Sequence, residues 1–145
     1  MEEQAFTGVR VLDFSQVLAG PFATQLMAQL GAQVIKVEQP VGGDMTRGLM
    51  SASSDGMAPS FLAANLGKRS LTLDLKNPGA KTVIEKLVAQ CDVVVENFKP
   101  GTIERLGFGY QALKAIKPDL IYASISGFGQ TGPRAGLPAF DGAIQ

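Results

Sequence analysis

The chain has 145 residues, 46% of them apolar and 18% charged, enough for one domain with a hydrophobic core and too few for two. Thirteen basic residues balance thirteen acidic ones, and this zero net charge argues against a nucleic-acid partner. No apolar run reaches transmembrane length, and the acidic start Met1-Glu2-Glu3-Gln4 lacks the basic and apolar regions of a signal peptide, so no membrane partner and a cytoplasmic setting are expected.

Residues 9–14 (VRVLDF) read as a buried strand. Ala19-Gly20-Pro21 follows; Pro21 suits the first turn of a helix whose Phe22, Leu26 and Leu30 recur at i, i+4 and i+8 on one face. Gly31 ends that helix before a second strand over 33–37, with Glu38 at the strand's end. Residues 39–59, rich in Gly, Ser, Met and Pro, predict a long loop of the kind that in compact domains is functional or mobile. A short helix over 60–65 and an alternating strand over 70–75 (SLTLDL) come next. Asn77 is placed to cap a helix with Pro78 in its first position and Val83, Leu87 and Val88 on its apolar side.

The single cysteine, Cys91, falls where that helix hands over to a strand. It permits no internal disulfide, and a buried, inert thiol is expected. Residues 92–96 (DVVVE) predict the clearest central strand; two short helices over 103–107 and 110–116 and a last strand over 120–124 follow. A Gly/Pro-rich segment spans 127–138.

Strand and helix alternating in this way predict an α/β, Rossmann-like domain over 1–145, with a mostly parallel sheet and helices on both faces. Ligands of such sheets bind beyond the carboxyl ends of the strands. Gly127-Phe128-Gly129-Gln130-Thr131-Gly132 matches a dinucleotide fingerprint in form, but Pro133 and Pro138 oppose the helix it would have to open. Glu38 imitates a ribose-binding acid without the glycines such a site needs, so a flexible surface loop is preferred to NAD binding. Lys68, Arg69, Lys76, Lys99 and Arg105 flank the third and fourth strands. If those strands pair, Lys76 and Lys99 meet at the sheet's carboxyl edge in an arrangement suited to phosphate; otherwise they are ordinary solvated charges. Asp44 is placed to cap a turn or pair with Arg47, and Asp141, before Gly142, is by default a turn residue. The sequence holds no histidine, no metal-ligand cluster and no phosphate-binding loop of the nucleotide-hydrolase type.

Several strings resemble the class III CoA-transferases, the CaiB/BaiF type. They are Gly8-Val9-Arg10-Val11-Leu12-Asp13-Phe14 with Val17-Leu18-Ala19-Gly20-Pro21, the stretch Gly31-Ala32-Gln33-Val34-Ile35-Lys36-Val37-Glu38, and Gly43-Asp44-Met45-Thr46-Arg47. Gly67-Lys68-Arg69-Ser70-Leu71, Leu73-Asp74-Leu75-Lys76, Asp92-Val93-Val94-Val95-Glu96-Asn97-Phe98, Pro100-Gly101 and Ser126-Gly127-Phe128-Gly129-Gln130-Thr131-Gly132-Pro133 continue the match in order. The resemblance implies a Rossmann-like large domain with a smaller domain absent from this chain, and two interlocked chains in full-length relatives. It implies coenzyme A or acyl-CoA and a carboxylic acid acceptor as substrates, with no tightly bound cofactor. CoA would move between the acids through an aspartyl intermediate, which is nucleophilic catalysis by a carboxylate. By the same resemblance Leu18, Ala19, Leu73, Asp74, Leu75, Lys76, Asn97, Phe98, Lys99 and Arg105 would contact CoA, the three cations serving its phosphates.

The family's nucleophilic aspartate lies beyond the position of Gln145, and Asp141 matches an acidic active-site neighbour just upstream of it. The chain is therefore expected to be the N-terminal, CoA-binding part of a longer architecture and inactive by itself. A glutamine that some transferases carry in the first loop is matched by Leu18, with Gln16 two residues earlier, which counts against oxalate or formate as substrate. Two alternatives stand beside this reading. One is an α-methylacyl-CoA racemase, whose histidine before the aspartate is replaced here by Phe140, a ring without a titratable proton. The other is a non-catalytic binding or assembly module.

Overall fold

The computed structural model describes residues 4–49 and 57–144, without the side chains of Asp141 and Ile144. Five parallel strands form one sheet: β1 (Arg10–Asp13), β2 (Gln33–Glu38), β3 (Arg69–Thr72), β4 (Val93–Glu96) and β5 (Ile121–Ser124). Their order is β3-β2-β1-β4-β5, the doubly wound arrangement in which the direction of winding reverses between β1 and β4. The α/β, Rossmann-like reading of the sequence is borne out.

Side chains alternate across each strand, and the two faces are covered by different helices. Val11, Val34, Val93 and Val95 point to one face, where Met27 and Ala28 of α1 (Ala19–Gln29) pack on them. Leu12, Phe14 and Val94 point to the other. There they meet Ala80, Ile84 and Val88 of α3 (Pro78–Val88), Ile103 of α4 (Thr102–Arg105) and Leu113 of α5 (Tyr110–Ile116). Each such fully buried aliphatic side chain stabilises the fold by about 1.5–3 kcal/mol.

Local signals explain most boundaries. Gly31 adopts φ +103°, a left-handed conformation that stops the chain continuing helically after α1. The Asn77 side chain accepts the Gly79 N–H and caps α3, with Pro78 in its first turn. α2 (Pro59–Leu62) starts on a proline in the same way. Cys91 is buried between α3 and β4, and burial pushes its thiol up to about 11. The loop expected over 39–59 contains a short 3-10 turn at Met45–Gly48; residues 50–56 lie outside the described part.

Two helix faces differ from the sequence reading. In α3 the inward row is Ala80, Ile84 and Val88, while Val83 faces solvent and Leu87 is half-buried. In α1 the row Phe22, Leu26 and Leu30 is 47%, 44% and 46% exposed, and Gly20, Pro21, Thr24 and Gln25 turn inward instead. In the first turns of α1 the inward face is small or polar because it abuts a buried ionic cluster at the end of β1, where Thr24 donates to Asp13. Gln25 also ties α1 to the segment after α2, donating to the Ala63 carbonyl and accepting the Leu66 N–H.

Candidate functional site

The carboxyl ends of β1 and β2 carry charged residues inside otherwise apolar strands. Asp13, Lys36 and Glu38 fall on the α1 face by strand alternation, and all three are buried. A buried charge survives only when paired and hydrogen-bonded, and each of these is. The Asp13 carboxylate accepts from Lys68 Nζ at 3.0 Å, from Thr24 Oγ1 at 2.6 Å and from the Ser15 hydroxyl and N–H. Lys68 also donates to the Pro21 carbonyl and to Asn65 Oδ1. Burial draws the Lys68 ammonium below its ordinary range, and Asp13 opposes that shift.

Beside this pair, Lys36 Nζ lies 2.9 Å from Asp44 and donates to the Ser15 carbonyl at 2.7 Å. Asp44 caps the 3-10 turn through the Thr46 N–H and hydroxyl. Burial works against the Asp44 charge, but Lys36 and Thr46 outweigh it and lower its pKa. Glu38 receives Arg47 through Nε at 2.6 Å and Nη2 at 2.7 Å, with Ser70 Oγ at 2.7 Å and the Asp44 N–H at 3.0 Å. Burial again opposes the charge, and these four donors overcome it to bring Glu38 to about 2. Arg47 also lies 3.7 Å over the Phe61 ring.

Past this ionic layer the chain opens two adjoining cavities that share Glu38 and Gln39. The smaller, about 140 Å³, is walled by Gln16 after β1, Val37 to Gln39 at the end of β2, Leu73 to Lys76 after β3, and Phe98 and Leu106 after β4. The larger, about 260 Å³, runs from Glu38 to Gly43, Arg47, Ser70 and Thr72. Its acid is already neutralised, so it is a polar shelf beside the mixed pocket.

The structure brings five of the ten expected CoA contacts, Leu73, Asp74, Leu75, Lys76 and Phe98, to one cavity. Asp74 accepts the Lys76 N–H and turns this loop outward, leaving the Lys76 ammonium exposed. Lys99 and Arg105 are exposed on the neighbouring β4–α4 segment, where Arg105 spends one N–H on Thr102 Oγ1. Leu18, 62% exposed, and Ala19 stand at the start of α1. Asn97 is turned towards the β1–α1 loop, accepting the Gln16 N–H at 2.8 Å and donating to its carbonyl at 2.7 Å. Asp141 opens α6 (Asp141–Ile144), and its side chain lies outside the described part.

The model of CoA-transferase family III matches residues 6–145. The chain belongs to this family. It is 46% identical over 142 residues to a formyl-CoA:oxalate CoA-transferase of Bradyrhizobium diazoefficiens, a match covering 98% of this chain and 33% of that protein. It is 44% identical to a succinate–glutarate CoA-transferase of Agrobacterium fabrum, over 96% of this chain and 36% of that one. Among solved structures it superposes on a CaiB/BaiF family protein from Brucella suis with a TM-score of 0.93 and 43% identity, covering 99% of this chain and 39% of the other. The chain thus spans about a third of the length of the curated relatives it matches.

Membership of the family bears out the resemblance, but several readings of single residues change. β3 and β4 do not pair, because β2 and β1 lie between them, so three strand spacings, about 14 Å, separate their ends. Lys76 and Lys99 are therefore not brought together by strand pairing; the β3–α3 loop reaches the crevice by its own turn. Lys68 is no surface cation but the buried partner of Asp13. Asp44 does cap a turn, yet its ionic partner is Lys36 and not Arg47. With four donors on its carboxylate, Glu38 has no lone pair left for a ribose hydroxyl. The glycine-rich loop after β5 opens no helix until α6, as expected. Sequence reasoning passed over Gln16, Val37, Gln39 and Leu106 as pocket residues, and Asp13 and Lys36 as a buried charge set. For the last two a signal existed: charges within VLDF and VIKVE strands demand hidden partners.

Proposed function

We propose that this chain binds coenzyme A and its thioesters in the crevice at the carboxyl ends of β1 to β4, as the CoA-binding part of an acyl-CoA:carboxylate CoA-transferase. The observation that carries this is the 140 Å³ pocket, where segments at the carboxyl ends of four strands converge on one apolar and polar wall that includes Lys76. Its size suits one end of CoA, the adenine ring, between Leu73, Leu75, Phe98 and Leu106, while the rest of the ligand extends along the surface. Lys76 belongs to the pocket wall, and Lys99 and Arg105 are exposed on the segment that follows β4, so phosphates along that side would meet point charges and a forked donor.

The buried acids beside the crevice are committed elsewhere. Asp13, Glu38 and Asp44 each hold a cation and several hydrogen bonds, so their role is to build the site and not to attack a thioester. The two relatives are named for different acid pairs, and the acyl donor and acceptor of this chain are set by residues nearer the acyl group. Leu18 offers that group an exposed aliphatic surface and no hydrogen bond, which disfavours oxalate. Phe140 has no proton to exchange, which disfavours racemisation.

Calorimetric titration with CoA tests the reading. Lys76→Ala and Arg105→Ala are each expected to weaken binding about tenfold, the scale of a charge-assisted phosphate contact at a partly solvated site. Each should also reduce the salt dependence of the affinity. Unchanged affinity in both variants would remove the phosphate role.

A further inference from the structure

Residues 15–17, which join β1 to α1, are held by side chains from three other parts of the fold. The Ser15 N–H goes to Asp13, and the Ser15 carbonyl accepts from Lys36 at 2.7 Å. The backbone N–H and carbonyl of Gln16 are both taken by the Asn97 amide, whose oxygen accepts at 2.8 Å and whose nitrogen donates at 2.7 Å. The Val17 N–H faces both oxygens of Asp44 at 3.2 and 3.3 Å. Val17 itself has φ +69°, and among the described residues it is the one non-glycine in the left-handed region. A β-branched residue avoids that region, and it stays there only where its surroundings over-determine the backbone.

The clamp sits at the reversal of strand order, since Gln16 follows β1 and Asn97 follows β4. Gln16 forms part of the wall of the smaller cavity, and the turn at Val17 projects Leu18 outward. Asn97 lies 81 residues from its partner in sequence, so the contact belongs to the tertiary fold and not to a local turn.

We propose that Asn97 and Asp44 are positioning residues: they hold Val17 in its left-handed conformation, which sets Gln16 in the cavity wall, and they act on CoA through this loop. This rests on the CoA-binding reading. The family expectation gives the backbone around Asn97 to the ligand; its side-chain amide, which spends a donor and an acceptor on Gln16, serves the loop instead.

The two roles separate by rescue. Asn97→Ala is expected to weaken CoA binding about tenfold by freeing the loop from a conformation that valine disfavours. Glycine adopts positive φ readily, so adding Val17→Gly should restore the affinity to within about threefold of the parent. A double variant as weak as Asn97→Ala alone would show that Asn97 touches the ligand, and an Asn97→Ala variant of full affinity would show that the clamp is idle; either overturns the proposal. Asp44→Asn should follow the same pattern, and if it fails to fold, the half-buried Asn97 decides alone. Should the parent not bind CoA, the functional reading fails first. The clamp is then judged from the HN–Hα coupling and amide shifts of Val17: loss of positive φ in Asn97→Ala supports it, and retention refutes it.

Discussion

Replacing Glu38 by Gln should produce a loss of stability that depends on pH in a defined sense. The Glu38 carboxyl titrates at about 2 in the fold against an ordinary 4.5. Held below its unfolded value, it stabilises the native state fully above pH 4.5, and the contribution disappears as pH falls towards 2. That difference corresponds to about 3 kcal/mol at neutral pH. Glu38→Gln removes the charge but keeps the shape, and Arg47 retains its place over Phe61. Urea unfolding followed by circular dichroism should therefore show the variant about 3 kcal/mol less stable near neutral pH and within about 1 kcal/mol of the parent near pH 2. Glu96 works in the opposite direction. Burial raises its pKa, so its cost to the fold is relieved as pH falls, but it is common to both proteins and cancels in the comparison. A gap between parent and variant that stayed constant from neutral to strongly acid pH would refute the account, because it would mean that the loss came from packing and not from charge.

Three further outcomes follow from buried groups. Asp13→Asn leaves the Lys68 ammonium buried beside a neutral amide and should cost about 3–5 kcal/mol in chemical denaturation; a change below about 1 kcal/mol would contradict the pairing. Gly20→Ala adds a methyl that overlaps the Ser15 side chain, so α1 must move off the β1–α1 loop. It should lower stability by about 1–3 kcal/mol and weaken CoA binding with it, and a thermal melt together with a CoA titration reads both. Cys91, buried with its thiol at about 11, should react with a thiol reagent in the native protein only at the rate of opening, and rapidly in urea; prompt native labelling would place it at the surface.

Much of the scaffold was legible in the residues themselves. β-branched runs such as DVVVE, the Asn77-Pro78 start of α3 and the stop at Gly31 are signals carried within a few positions, where local conformational preference decides. The family strings were also local, and they pointed to the loops after β3 and β4 that the fold brings to one pocket. What could not be read locally was strand order. Lys76 and Lys99 look like neighbours along the chain of elements, yet the crossover from β3 to β4 puts two strands between them. Nor could the sequence reveal which partner each buried charge takes: Lys68 finds Asp13 across 55 residues, and Lys36 takes Asp44 while Arg47 takes Glu38. The row Phe22, Leu26 and Leu30 has the spacing of a core face, but the space under α1 is already claimed by the Asp13 cluster, so the row turns outward. The residues alone therefore determined most of the elements and the family, while the strand read over 70–75 ends at Thr72 and leaves Leu73 to Leu75 to the pocket loop. The tertiary structure decided strand order, ion pairing and which helix face is covered, because those depend on desolvating charges and filling volume among segments far apart in the chain.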